Sequence, residues 1–305
     1  MLAKQYRVGI YFPVFILTDS AGVPITRWQG YTGAARFISA LNDALRDLTT
    51  IGERETRFKA QPTYDDALFL AEYYSDAGSY LKAADFFGKA REFSPSPGVH
   101  IYYKIFESLA NAVWADSAKF ADVLPVADAV LDYRPLDPRS ITLVASNITR
   151  LARDKDKTAE IGKYLDAGIS ITAGRQDKKS LEANALFRAD SALYIANDTV
   201  KALQITKGSL GNGWESKPDK FYDFAKWCLE RKIDLGEAEA FTRRAVGMAS
   251  PGKFKAKVLN TLAEIRIARG DTSDAIKILD EAIDEDPEDD FYTRQWNRLM
   301  NIPDE

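Results

Sequence analysis

Residues 63–95, TYDDALFLAEYYSDAGSYLKAADFFGKAREFSP, constrain the fold most, because they spell two short amphipathic helices that cannot bury their apolar stripes alone. In the first helix Ala67, Leu70, Ala71 and Tyr74 fall at i, i+3, i+4 and i+7, one stripe. Residues 76–80, with Gly78 among them, break the pattern as a left-handed-tolerant residue does at a helix C-terminus. The second helix repeats the stripe with Ala83, Phe86, Phe87, Ala90 and Phe93, and Pro95 closes it. Such a hairpin needs neighbours to stack on.

The chain supplies them. Near the C-terminus Leu259, Leu262 and Ala263 precede Gly270, and Ala275, Leu279, Ala282 and Pro287 follow, in register with Ala83, Phe87, Ala90 and Pro95 after Gly78. The copy before it uses Tyr222, Ala225, Leu229, Leu235, Ala238 and Ala245, and one earlier uses Leu186, Ala189, Leu193, Ala202 and Ser209. Residues 101–138 and 140–174 carry a weaker pattern, with Ala112, Leu124, Val130, Leu143, Leu151, Tyr164 and Ala167 as candidate core. The 192 residues from Ala90 to Ala282 hold five steps of about 38 residues. Small residues belong where helix axes approach and large ones where they diverge.

This arrangement resembles a tetratricopeptide repeat. The resemblance implies a mostly α chain, a tetratricopeptide-like α-solenoid of about six helical hairpins over residues 62–301. Residues 283–300 are expected as a capping helix whose acidic run is solvated.

The N-terminal fifth reads differently. Residues 12–18 form an apolar strand, 19–22 a turn with Asp19 and Gly22, and 23–29 a second strand. A helix over 32–48 follows Gly30, with Ala34, Phe37, Ile38, Leu41 and Leu45 as its buried stripe. This ββα unit, residues 1–48, resembles the C-terminal half of a thioredoxin-like domain. In that resemblance Pro13 takes the family's cis-proline position, Asp19 and Gly22 the turn, and Gly30 the glycine before the last helix. The strands and helix that carry the family's C-x-x-C motif are absent from the chain, so the unit is expected to be a remnant, with loss of the start the favoured explanation. Residues 49–61 are expected as a linker helix opened by a Thr50–Glu53 capping box.

Composition narrows the function classes. Residues 271–305 hold 12 acidic and 3 basic side chains, which argues against a nucleic-acid partner. No apolar run reaches 18 residues, so no membrane span is expected, and no signal peptide is visible. The chain reads as cytoplasmic as written, or as periplasmic or exported if its start is truncated. One cysteine, Cys228, rules out an internal disulfide and is expected to be a buried hydrophobe; one histidine, His100, leaves no His-based metal cluster. No cofactor, no metal and no catalytic residue is expected. Gly208 to Gly213 does not follow a strand and reads as a helix stop, not a phosphate loop.

A ligand of a tetratricopeptide array is expected in the groove lined by first helices. Carried over from the family, the first-repeat positions are Asp65, Leu68 and Glu72, which lack the Lys/Asn carboxylate clamp some members use. In the later repeats the positions include Phe187, Ser191, Tyr194, Lys220, Asp223, Trp227, Lys257, Asn260 and Glu264. The candidate peptide-binding groove is therefore Phe187, Tyr194, Lys220, Trp227, Lys257 and Asn260, an aromatic and basic mixture. The expected function is a non-catalytic protein-interaction scaffold that binds a protein or peptide. The alternative is the C-terminal portion of a thioredoxin-like thiol–disulfide oxidoreductase or redox chaperone. A homodimer through the exposed edge of the N-terminal hairpin is a further expectation.

Overall fold

In the computed structural model, residues 5, 6, 8, 13–300 and 302 are described. The fold is mostly α, and the sole sheet among these residues is the two-stranded pair β1 (Val14–Thr18) and β2 (Pro24–Gln29). They run antiparallel, with Phe15 opposite Trp28 and their rings stacked at 5.5 Å. The Asp19 carboxylate closes the turn by accepting from Ala21 N and Val23 N, and Gly22 takes φ +79°. The Phe12–Pro13 bond that the thioredoxin-like resemblance would make cis lies outside the described residues.

Helix α1 (Ala34–Leu45) follows, but its expected stripe is not buried. Phe37 reaches the sheet, 4.8 Å from Phe15 and 5.9 Å from Trp28, while Ile38 and Leu45 are 53% and 51% exposed. A ribbon two strands wide cannot cover a stripe three turns long. Helix α2 (Ile51–Ala60) starts at Thr50 with the expected capping box: Glu53 accepts from Thr50 N at 2.9 Å, and Thr50 Oγ1 accepts from Glu53 N.

The hairpins come next, six among the described residues. They are α3 (Tyr64–Asp76) with α4 (Tyr80–Phe93), α5 (Val99–Trp114) with α6 (Phe120–Asp132), and α7 (Pro138–Asp154) with α8 (Gly162–Thr172). Then come α9 (Lys178–Tyr194) with α10 (Thr199–Gly208), α11 (Pro218–Arg231) with α12 (Leu235–Met248), and α13 (Lys253–Ala268) with α14 (Thr272–Glu285), before a last helix α15 (Asp290–Leu299). Alanines mark the close approaches: Ala67, Ala83, Ala90, Ala112, Ala127, Ala145, Ala202, Ala225, Ala238, Ala245, Ala275 and Ala282 are all fully buried.

Each first helix ends on a left-handed residue: Gly78, Asp116, Asp156, Asn197, Lys232 and Gly270 have φ between +51° and +86°, and the fifth turn adds a second, Asp234 at +43°. In five of the six, the next amide donates to a carbonyl five residues back, as in Ser79 N to Tyr74 O and Asp271 N to Arg266 O. That is the Schellman closure, which satisfies carbonyls left open at a helix end. Asp and Asn enter the left-handed region more readily than other side chains do, so three of the turns need no glycine.

Several expected core positions shift. The close approach on α8 is Gly168, not the half-buried Ala167: a Cβ on Gly168 would sit 2.7 Å from the Phe187 ring. On α9 the inward residue is Phe187, 1% exposed, and Leu186 is 37% exposed. Phe93 is 44% exposed, Ser209 is exposed with Thr206 buried in its place, and Leu143 is half-buried. In the terminal acidic run Glu285 is not simply solvated, because it accepts from Gly252 N at 2.7 Å and pairs with Lys255.

The chain divides into two compact units, 1–187 and 188–305, with the boundary inside α9. In the first, Phe58 of α2 packs edge-on against Phe86 and joins the core of Leu70, Tyr74, Phe87, Ile101 and Ile105. In the second, one cluster gathers Ala189, Leu193, Phe224, Trp227, Cys228 and Ile265, and another gathers Leu259, Leu262, Ile278, Leu279 and Tyr292.

Candidate functional site

Helices α5 and α7 are the first helices of consecutive hairpins, and each shows a polar stripe beside its apolar one. On α5 the buried stripe is Ile101, Ile105, Ser108 and Ala112, apolar but for the serine. The neighbouring stripe, Val99, His100, Tyr103, Lys104 and Glu107, faces a cleft of about 660 Å³. Asp137, Arg139, Ser140 and Leu143 at the start of α7 form the opposite wall.

Most polar groups here are committed. Glu107 pairs with Lys104 at 2.8 Å and accepts from the Tyr103 hydroxyl at 3.4 Å. Burial, reinforced by the Glu107 charge, pushes the Tyr103 phenol up to about 12, so it stays a neutral donor. Asp137 caps α7 by accepting from Ser140 N at 2.8 Å, and its hydrogen bonds to Ser140 hold its carboxyl below the usual range. Arg139 is exposed; its backbone N–H donates to the Asp137 carboxylate, and its guanidinium charge acts on Asp137 and on Tyr103. His100 is also exposed, its ring folded back over Gly98, where a Cβ would lie 2.8 Å from Nδ1.

Lys104 links the cleft to α3. Its charge acts on both Glu72 and Asp76, which stand one helical turn apart. Burial raises both carboxyls above their usual range, and Lys104 only partly opposes it; Arg27 helps at Asp76. Glu72 is open at its surface, yet protein crowds its carboxylate. Gln29 of β2 donates to the Asp76 carbonyl at 2.9 Å and so ties the sheet to the end of α3.

The residues expected to form a groove lie elsewhere. Phe187 is core, out of a ligand's reach. Trp227 is 7% exposed beneath the Arg231 guanidinium, which lies 4.6 Å from its ring. Lys220 is half-buried and pairs with Asp223 at 3.1 Å, and Tyr194 is half-buried. Lys257 is exposed, its ammonium 5.1 Å from the Tyr222 ring, and the buried Asn260 donates to Glu264 at 2.9 Å. The structure therefore brings Lys220, Trp227, Lys257 and Asn260 onto the neighbouring first helices α11 and α13 and places Phe187 in the interior. The sequence reading did not single out Arg139 and took His100 only as a histidine without a metal-ligand partner, because the repeat pattern is weakest in hairpins two and three. A signal was present in the unbroken polar stripe 100, 103, 104 and 107 beside the apolar one.

Cys228 is buried, and desolvation aided by Asp234 pushes its thiol up to about 12, far from a reactive thiolate. Among the described residues no group of three or more His, Cys, Asp and Glu could hold a metal ion. No described helix is long and apolar enough to cross a membrane.

The array is tetratricopeptide-like. No family model matches the chain, and no curated protein matches it. Among solved structures the chain is similar to BtubC (BKLC) from P. vanneervenii, at 13% identity and TM-score 0.43, covering 74% of this chain and 92% of that one. It is also similar to a chain of the APC/C hetero-tetramer Cut9–Hcn1, at 11% identity and TM-score 0.42, covering 81% of this chain and 45% of that one. A third is YrrB, a TPR protein with an unusual peptide-binding site, at 12% identity and TM-score 0.31, covering 79% of this chain and 96% of that one. Superpositions this loose carry no argument about function.

Proposed function

We propose that the protein is a non-catalytic interaction scaffold that holds an extended peptide segment of a partner along its first helices. The observation that carries this reading is the cleft between α5 and α7, lined by the polar His100, Tyr103, Lys104, Glu107 and Arg139 together with the apolar Val99 and Leu143. The groove of the second unit, with Tyr194, Lys220, Trp227, Lys257 and Asn260, extends the same proposal. The test is hydrogen–deuterium exchange of the protein with peptides selected from a random twelve-residue library. Protection is expected on first helices, α5 and α7 foremost; protection confined to the second helices of the hairpins overturns the reading.

A second reading keeps residues 1–48 as a remnant of a thioredoxin-like domain in a thiol–disulfide oxidoreductase or redox chaperone. It is favoured by the strand–turn–strand–helix order and by the apolar face that α1 leaves uncovered at Ile38 and Leu45. The genomic DNA upstream of Met1 tests it. An in-frame segment encoding C-x-x-C supports it, and a stop codon directly upstream rejects it.

A further inference from the structure

The loop that joins α10 to α11 holds the chain's one asparagine–glycine step, Asn212–Gly213. We propose that Asn212 is a site of covalent modification, where the side-chain amide closes on the next backbone nitrogen and is converted through a cyclic imide to aspartate and isoaspartate. The reaction needs a following amide nitrogen that is not engaged as a donor, and room for the asparagine side chain to swing onto it. Both are present. The Gly213 N–H donates to no described residue, and the Asn212 side chain forms no hydrogen bond with one. Residues 211–213 are exposed, and Gly213, at φ +67°, has no Cβ to obstruct the approach. Nothing lies within 4 Å of where a Cβ on Gly211 or Gly213 would sit, so the segment has space to turn.

Among the described residues the other asparagines are held back. Asn42, Asn111, Asn147, Asn184, Asn260 and Asn297 lie inside helices, where the following amide is engaged by the carbonyl four residues before it. Asn197 stands in an exposed turn as Asn212 does, but there Asp198 N donates to Ala192 O at 2.8 Å. The fold thus silences these sites and leaves Asn212 open. In the reaction Gly213 N gives its proton to solvent base and attacks Asn212 Cγ. The new N–Cγ bond closes a succinimide ring, the Cγ–Nδ2 bond breaks, and Nδ2 leaves as ammonia. Water then opens the ring. Opening at Cγ leaves aspartate on an unchanged main chain; opening at the main-chain carbonyl routes the chain through Cγ as isoaspartate. The sum is amide and water to carboxylic acid and ammonia, with nothing oxidised or reduced. Ionised at neutral pH, the product makes the net charge one unit more negative than −4. The new charge falls just before Trp214, whose ring packs 5.1 Å from Phe221 and 5.4 Å from Phe241.

The experiment is peptide mapping by mass spectrometry of the full chain aged in mildly alkaline buffer, one sample folded and one unfolded in urea. In the folded sample a mass gain of about 1 Da, amide replaced by acid, is expected on the peptide that holds Asn212. It should appear as two products of equal mass that chromatography separates, with isoaspartate in excess. Isoelectric focusing of the aged protein should show a new, more acidic band. Asn212→Gln should abolish both signals, because the longer side chain closes its ring far more slowly; thermal unfolding checks that this variant is folded. The rate at Asn212 in the folded chain should lie within about tenfold of its rate in urea, a readout that needs no variant. A folded rate more than about tenfold below the unfolded one overturns the proposal. So does a folded chain in which Asn197 or a helical asparagine gains mass as fast as Asn212, or in which the acidic band persists in Asn212→Gln.

Discussion

Arg231 on α11 holds both carboxylate oxygens of Asp190 on α9, Nε to Oδ1 at 2.6 Å and Nη2 to Oδ2 at 2.8 Å, with each side chain only 2% exposed. The pair fixes the register of two first helices in the second unit, and the Trp227 ring flanks the guanidinium. Removing one partner leaves a buried charge alone. Asp190→Asn is expected to cost about 3–5 kcal/mol in urea unfolding, whereas Asp190→Leu with Arg231→Met should come within about 1 kcal/mol of the natural protein. Equal losses in both variants would show that the pair contributes net stability as well as register.

At Gly168 the backbone of α8 lies directly against the Phe187 ring. A methyl there lies 2.7 Å from Cδ2 and Cε2 of Phe187 and 3.1 Å from the Ala145 Cβ. Gly168→Ala is expected to destabilise by about 1–3 kcal/mol through overpacking, although alanine is the better helix former. Adding Phe187→Leu should recover part of that loss, read as a shift of the urea midpoint.

The hairpin turns allow a clean test of backbone strain. Lys232 occupies the left-handed region at φ +54° with a side chain that gains nothing from it. Lys232→Gly is expected to stabilise by about 0.5–1 kcal/mol. Gly270→Ala should destabilise by about 1 kcal/mol, and because a Cβ there meets nothing within 4 Å, the whole effect is backbone conformation. Differential scanning calorimetry of the two variants checks both signs.

Stability should respond to acid in two opposite ways. Asp66, 4% exposed, is held below the usual carboxylate range first by its hydrogen bonds to Arg57, then by those to Arg54. Its contribution is present in full above the unfolded value of about 4 and is lost as pH falls through the depressed folded value. Glu72 and Asp76 behave oppositely: raised by burial, they cost stability at neutral pH, and the cost disappears as pH falls through their folded values. Glu72→Gln with Asp76→Asn should therefore raise Tm at pH 7, with the gain gone near pH 4. Asp66→Asn should lower Tm at pH 7 and flatten the acid limb.

Legibility followed the strength of the local pattern. The capping box of Thr50 and Glu53, the turn at Asp19 and the glycines at 78 and 270 were readable because each is decided by neighbours a few residues away. The turns at Asp116, Asp156, Asn197 and Lys232 were not, since a left-handed Asp, Asn or Lys leaves no signature when helical and turn residues share a composition. The cleft went unnoticed for a related reason. Whether Leu143 faces the core or a groove depends on which stripe of α7 meets α5, and α7 on its own offers both.

By itself the sequence determined the repeating hairpin, its spacing of about 38 residues and its small-residue contacts, because helical periodicity and turn chemistry are local. Only the tertiary structure decided that Phe187 is core, that Leu143, Arg139 and His100 share a cleft, and that Ile38 and Leu45 stay uncovered. Burial depends on what packs against a face, and a stripe in one segment does not name its neighbour.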